Sequence, residues 1–355
     1  MTIPFNLGVL QLSMEPVQET VAMAKACEQA GFDAFWIAEA YPWWRKHGFE
    51  ARSSTAVLAV IAAQTTRIQL GWGIISPYTR HPVQIAMEAR VMQELAGDRF
   101  LLGLGASKIF MQEIGEGEGE KVGPATVMRE SIEVIRGVLQ GDALQYQGKV
   151  FAASVPALKP EAQTARGIPP IYVAGTGPVL QKISAVIGDG LLTASITTPA
   201  FVRYSRQNME AGARQAGKDP KALILGSVIV GSIDRDSAKG KEGAREQAAM
   251  YLANKVQNIK SSADVLLECA GLTLDELRPV ADAMEKGGRR AAAEAVTDDV
   301  LRKVCPIAGT PEECLKRIAD YRDAGCTHIM LEIWGEDRIG QAKLFGDAVL
   351  PHFER

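Results

Sequence analysis

Short apolar runs alternate with amphipathic helical patterns along almost the whole chain, and this alternation restricts the fold more than any other feature of the sequence. The runs at 5–10, 33–38, 67–76, 99–104, 171–174, 190–195, 223–233 and 328–333 are rich in β-branched, leucyl and aromatic residues, as strands are. Between them, apolar residues recurring three and four apart predict helices at 17–31, 53–65, 82–96, 124–140, 178–187, 199–216 and 310–324, the last of these preceding the last strand. Pro82, Pro124, Pro178 and Pro199 each stand where a first helical turn should begin. Strict alternation builds parallel sheet, and eight such strands predict a (β/α)8 TIM barrel, with a doubly wound open sheet as the alternative.

Two segments break the rhythm. Residues 142–160, containing QYQGKVFAA, read as a small hairpin inserted over the barrel, and the charged, alanine-rich residues 237–304 read as a helical excursion. No Ser/Gly/Pro-rich linker divides the 355 residues, so one domain spanning 1–355 is expected. The formal net charge is −3, and Lys and Arg are interspersed with Asp and Glu, which excludes a basic track for nucleic acid. No apolar run is long enough to span a bilayer and the N-terminus lacks a basic n-region, so a cytoplasmic protein without a membrane partner is expected. The five cysteines are scattered without a CxxC pair and the four histidines without HExxH spacing. Neither a disulfide framework nor a metal site follows, and Cys27, Cys314 and Cys326 read as buried thiols.

A barrel keeps its chemistry at the C-terminal ends of its strands. The third strand, in RIQLGWGIISPYTRHP, is interrupted by two glycines and closed by Ser76-Pro77. Gly73-Ile74 is therefore either a bulge re-aiming the backbone toward a flat ligand or a glycine kept for packing. After the fifth strand, Ala174 leads into Gly175-Thr176-Gly177-Pro178, where the N–H groups of residues 175–177 at a helix start form a phosphate cradle or an ordinary tight turn. Glu39 is a carboxylate ending an otherwise apolar strand, suited to a polar partner for a ring or substrate and equally ordinary as a loop residue. With Tyr41 it is the candidate catalytic pair, and Trp43 and Trp44 are candidate pocket walls.

AGFDAFWIAEAY at 30–41, LGWGIISPYTRHP at 70–82, LLGLGASKIFMQEIG at 101–115 and VAGTGPVLQKISAVIGDGLL at 173–192 occur in an order and spacing that resemble the bacterial luciferase-like flavin-dependent superfamily. Within it, they resemble the methylenetetrahydromethanopterin reductase branch, which uses the deazaflavin coenzyme F420. The resemblance implies a luciferase-like (β/α)8 barrel with insertions, a non-prolyl cis peptide at Gly73-Ile74, cofactor contacts from Ser76, Ala106 and Ser107, and a phosphate-binding turn at Gly175 to Pro178. It also implies a homodimer packed through helices near the start of the barrel. The branch carries Asp-His-Tyr after its second strand where this chain has Glu39-Ala40-Tyr41, and an acidic residue near the end of its first strand where this chain has Leu10-Gln11. F420 and FMN thus both stay open as cofactor. The expected activity is hydride transfer between that cofactor and a small organic substrate. The alternatives are a two-component monooxygenase using reduced FMN from a separate flavin reductase, and a non-catalytic flavin-binding protein.

Overall fold

The structure, a computed structural model, describes residues 4–39, 50–105, 122–158, 167–194, 196–257 and 263–353. Its strands are β1 (Asn6–Leu12), β2 (Ala34–Ala38), β3 (Gln69–Ile75), β4 (Phe100–Gly105), β5 (Leu144–Gln147), β6 (Ala152–Val155), β7 (Ile171–Ala174), β8 (Gly190–Thr193), β9 (Ile224–Ile233), β10 (Ile307–Gly309) and β11 (His328–Ile333). Strands β1, β2, β3, β4, β7, β8, β9 and β11 pair in parallel around a ring. The pairings that close it are β8 on β9, with Thr193 opposite Ser227, and β11 on β1, with Leu331 opposite Val9. A doubly wound sheet has two free edges, so these pairings decide for the barrel.

The helices are α1 (Val17–Ala30), α2 (Ser54–Ala62), α3 (Pro82–Ala96), α4 (Pro124–Gln140), α5 (Pro178–Ile187), α6 (Pro199–Gln215), α7 (Ser237–Gln257), α8 (Ala263–Ala270), α9 (Leu274–Ala295), α10 (Asp298–Val304), α11 (Pro311–Asp323) and α12 (Arg338–Ala348). Their ends follow local chemistry. Proline opens α3, α4, α5, α6 and α11, where its missing N–H costs nothing. Thr310 and Glu313 form a reciprocal capping box, and Gly31 and Gly141 end α1 and α4 in the left-handed conformation at φ 95° and 85°.

Three expectations need correction. The chain does not finish its regular structure at β11: α12 follows and packs on α1, with Phe345 edge-on to Phe32 at 6.3 Å. Only Ala342 and Phe345 of α12 are buried among its core-facing positions, so its sequence carries almost no amphipathic signal. The three-residue β10, paired to the upper end of β9, is too short to be read from periodicity. The β5–β6 hairpin packs on the outer helices rather than over the barrel. Glu130 of α4 accepts the N–H groups of Lys149, Val150 and Phe151 at 2.8, 2.9 and 3.0 Å, and Phe151 meets His81 at the start of α3.

Two apolar clusters organise the barrel. One lies between strands and helices; the other fills the lumen with Leu10, Trp36, Leu101, Tyr172, Leu192, Val228 and Met330. Trp36 is fully buried, with Tyr172 edge-on at 5.9 Å. Glycines on the neighbouring strand make room for it: a Cβ at Gly71 would sit 2.2 Å from the Trp36 ring. Among the described residues of 237–304 there are four helices, α7 to α10, with a cluster of their own that includes Leu252, Leu277 and Val300. Among the described residues, no helix is long and apolar enough to cross a membrane.

Candidate functional site

The interruption in β3 is a bulge at the barrel mouth. Trp72 faces Leu102 and Ile75 faces Leu104, so one more residue is fitted into β3 than into β4, and the Gly73-Ile74 peptide bond is cis. The side chain of Ile74 lies across β4, where glycine is required. A Cβ at Gly105 would be 2.6 Å from Ile74 Cδ1, and one at Gly103 would be 2.1 Å from the Trp72 carbonyl oxygen. With Leu12, Ala38 and Ala174, the last residues of β1, β2 and β7, Ile74 makes an apolar shelf on top of the lumen cluster. Ser76 is buried just beyond; its Oγ accepts the Tyr78 N–H at 3.3 Å, and its carbonyl accepts the Thr79 hydroxyl at 3.0 Å.

Glu39 follows β2, and its backbone N–H donates to the Ile74 carbonyl at 3.2 Å. Its carboxylate is hydrogen-bonded at one oxygen and ion-paired at the other. Oε2 accepts the Ser54 N–H and hydroxyl at 2.9 and 2.8 Å and Arg80 Nη2 at 3.0 Å, while Arg80 Nη1 lies 2.7 Å from Oε1. Arg80 also reaches Glu88 of α3 at 3.4 Å. Burial alone would lower the Arg80 pKa, but its bond to Glu39 and the proximity of both carboxylates hold it above the usual arginine value. A carboxylate with these donors at the N-terminus of α2 ties that helix to the end of β2 and the turn after β3. In this geometry Glu39 holds shape through Oε2, while Oε1 takes only the ion pair with Arg80 among the described residues.

The turn after β7 differs in one respect from the sequence reading. The Gly175 N–H donates to the Leu192 carbonyl at 3.1 Å, extending the β7–β8 ladder, so it is not part of a three-amide cradle. Thr176 and Gly177 keep N–H groups with no acceptor among the described residues. Gly177 caps α5 in extended conformation and Pro178 is its first residue. A Cβ at Gly175 would lie 2.7 Å from that of Leu180, so glycine lets the helix fold back closely on the strand. Beneath, buried Gln181 donates to the Thr176 carbonyl at 3.1 Å and to Ser205 at 3.0 Å, anchoring the turn. Two amides and a helix N-terminus remain to receive an anion. Tyr41, Trp43, Trp44, Ala106 and Ser107 lie outside the described residues.

Sequence reasoning missed a polar cluster on the opposite rim. Glu332, near the end of β11 and 2 % exposed, accepts Gln247 Nε2 at 2.8 Å and the Tyr251 hydroxyl at 2.6 Å, both from α7. Burial raises the Glu332 pKa against the lowering effect of these donors, and it pushes the Tyr251 phenol well above its usual range. Beside it, the Trp334 indole takes two guanidinium contacts, Arg289 at 5.0 Å and Arg338 at 4.8 Å, and Arg338 pairs with Glu15 at 2.7 Å. The signal was available: a carboxylate inside the apolar run HIMLEI is as conspicuous as Glu39 at the end of its strand. A cavity of about 850 Å³ lies elsewhere, between α7, α10 and α11, and none of the expected site residues lines it.

The family model described as luciferase-like monooxygenase matches residues 1–328. The chain is similar to the 5,10-methylenetetrahydromethanopterin reductase of Archaeoglobus fulgidus, 30 % identical over 335 residues that cover 92 % of this chain and 93 % of that one. It is also similar to the F420-dependent glucose-6-phosphate dehydrogenase of Mycolicibacterium gilvum, at 28 % identity covering 95 % and 94 %. Among solved structures, the coenzyme F420-dependent tetrahydromethanopterin reductase of Methanopyrus kandleri superposes with a TM-score of 0.85 at 28 % identity, covering 99 % of this chain and 100 % of that one.

Proposed function

The chain belongs to the luciferase-like monooxygenase family, and on that premise we propose that it is an oxidoreductase that binds coenzyme F420, or FMN, at the barrel mouth and reduces or oxidises a small organic substrate by hydride transfer. The observation that carries this reading is the pairing of an apolar shelf around Ile74 with two amides, of Thr176 and Gly177 at the start of α5, that have no acceptor among the described residues. A planar tricyclic ring with a phosphate on its side chain needs both. F420 takes precedence over FMN because the similar dehydrogenase and the superposed reductase are named for it.

A deazaflavin or flavin, when bound, supplies the ring atom that gives or takes the hydride. The protein contributes position. Ile74, Ser76 and Ala174 form the surface behind and beside the ring, and Thr176, Gly177 and Pro178 hold the phosphate end, with Gly175 setting the turn. Ala106 and Ser107, outside the described residues, are further proposed cofactor contacts, and Gly73 lets the backbone approach. Glu39, through Arg80, is a positioning residue that keeps the β2 and β3 ends in register; Tyr41 is the group proposed to face the reacting edge.

Titrating the purified chain with F420 and with FMN, followed by cofactor fluorescence, tests the reading, and binding of neither overturns it. F420-linked turnover without oxygen uptake is the expected result. Oxygen uptake with reduced FMN would instead mark a two-component monooxygenase fed by a flavin reductase, and binding without turnover a flavin carrier.

The assembly proposed is a homodimer through α3. Ile85 and Ala86 are buried, whereas Met87, Val91 and Leu95 are 57 %, 52 % and 43 % exposed at four-residue spacing, beside exposed Val60 of α2. Light scattering showing only monomer at micromolar concentration would remove this. A cytoplasmic location is supported by five free thiols, three of them buried.

A further inference from the structure

Glu332 faces into the barrel. Side chains alternate along β11, and Met330, two residues earlier, lies in the lumen cluster, so Glu332 stands on the same side one step nearer the mouth, with Val230 of β9 opposite. Helix α7 comes down onto this face at a glycine: a Cβ at Gly243 would be 2.3 Å from Ser232 Oγ and 3.4 Å from the Trp334 carbonyl oxygen. Gln247 and Tyr251, one and two turns further along α7, reach the Glu332 carboxyl. Two residues beyond Glu332, Trp334 shares one apolar cluster with Leu12, Ala38, Ile74 and Ala174 of the shelf.

Its partners set Glu332 apart from other carboxylates withdrawn from water. Glu28 is held by the N–H groups of Thr66, Arg67 and Ile68, and Glu130 by those of Lys149, Val150 and Phe151. Those groups only donate, and against the effect of burial they keep both carboxyls below their usual range. Around Glu332 both donors are reversible. Gln247 gives its Nε2 to one carboxyl oxygen while its own Oε1 is buried with no donor among the described residues, so turning the amide over offers an acceptor in the same place. The Tyr251 hydroxyl gives its proton to the other oxygen and accepts one equally well. A carboxylate and a carboxylic acid therefore both find partners here. Burial favours the acid, while Tyr251 and Gln247 of α7, the Trp334 indole and Arg289 of α9 favour the ion. Arg289 in turn faces Glu246 and Arg338.

We infer that Glu332 stores the proton that accompanies hydride transfer, exchanging it with the substrate through the Tyr251 hydroxyl. Glu332 is 2 % exposed and Gln247 is fully buried, whereas Tyr251 is partly exposed, so Tyr251 is the bonded partner that reaches beyond the cluster. The inference rests on the proposed function and deepens it: the substrate carbon that gives or takes the hydride bears a hydroxyl or carbonyl oxygen. When an alcohol is oxidised, its C–H and O–H bonds break and a C=O bond forms. The hydrogen leaves carbon with its electron pair for the oxidised cofactor, and the hydroxyl proton moves to the Tyr251 oxygen as the Tyr251 proton moves to Glu332. Reduction of a carbonyl runs the same transfers backwards.

Infrared difference spectra of the cofactor-free chain, parent against Glu332→Gln, read the store directly. The introduced amide pairs with a turned Gln247, so the variant keeps the fold. A protonated-carboxyl band absent from Glu332→Gln should persist in the parent to pH values well above those at which ordinary glutamates ionise, and its exchange in deuterated water should slow in Tyr251→Phe. A band that fades with the ordinary carboxylates, or exchange as fast in Tyr251→Phe as in the parent, overturns the inference. With F420 and a panel of secondary alcohols and ketones, both variants should bind F420 as the parent does and lose roughly a hundredfold or more in kcat, and Glu332→Gln should also lose a limb of the pH profile and the solvent isotope effect. A lower melting temperature with kcat, pH profile and isotope effect retained would mean that the carboxyl only anchors α7, which overturns the inference. F420 binding with no member of the panel turned over overturns the substrate class. Failure to bind F420 would instead overturn the proposed function, and the infrared titration of the cofactor-free chain still decides whether Glu332 holds a proton.

Discussion

Replacing Lys255 by methionine should stabilise the protein, by an amount that depends on pH. The ordinary lysine value of 10.5 falls to about 8 in the fold because burial disfavours the charged form. At about 1.4 kcal/mol per unit, that shift sets a ceiling of about 3 kcal/mol on the cost of folding with a protonated Lys255, and its partial exposure reduces this to about 2 kcal/mol. The sign follows from proton uptake: between the two pKa values the unfolded chain binds more protons at this residue than the folded chain, so the parent gains stability as pH rises. The penalty is complete below the folded value and vanishes above the unfolded one. Methionine, of similar length and uncharged, removes it. Urea unfolding in phosphate-free buffer should show Lys255→Met more stable by about 2 kcal/mol near neutral pH and by under about 1 kcal/mol near pH 10. Tyrosine ionisation affects both proteins alike and cancels in the difference. An equal gain at the two pH values, or a loss at the lower one, would refute the argument that burial disfavours the charged form of Lys255.

Gly177→Val should leave the fold intact, since φ −81° and ψ 150° suit valine, yet weaken F420 binding several-fold or more by holding the phosphate off the two amides; unchanged affinity in a fluorescence titration removes that turn from the site. Glu39→Gln strips Arg80 of its closest charge while leaving Glu88, so a loss of about 1–3 kcal/mol in urea unfolding is expected together with reduced turnover, and a variant as stable as the parent would show that the ion pair does not hold the β2 and β3 ends. Gly71→Ala places a methyl group 2.2 Å from the Trp36 ring and should cost about 1–3 kcal/mol or prevent folding, whereas an unchanged melting temperature would mean the lumen has slack.

The architecture was legible because alternation of strand and helix is a long-range signal repeated many times. Helices α3, α4 and α5 begin and end where the proline starts and apolar spacing place them. What the sequence concealed depends on three-dimensional neighbours. That the Gly175 amide is spent on Leu192 follows from how far the β7–β8 ladder runs, which no local pattern encodes. That Glu39 is held by Arg80 depends on a contact with a residue 41 positions away, which local pattern does not fix. Glu332 was hidden within an apolar strand, and its partners Gln247 and Tyr251 lie in a helix whose apolar residues point to several surfaces at once. Weak amphipathicity also hid α12, which is held by α1 rather than by a broad face of its own.

The glycines of β3 and β4 bear on how such a protein can change its substrate. Trp36 and Ile74 occupy the space that side chains at Gly71, Gly103 and Gly105 would need, so the floor of the mouth is a close-fitting layer in which almost any enlargement collides with an indole, a backbone carbonyl or the shelf itself. Selectivity is therefore adjustable only from above and from the sides. Libraries aimed at new substrates should leave β3 and the inward residues of β4 as they are.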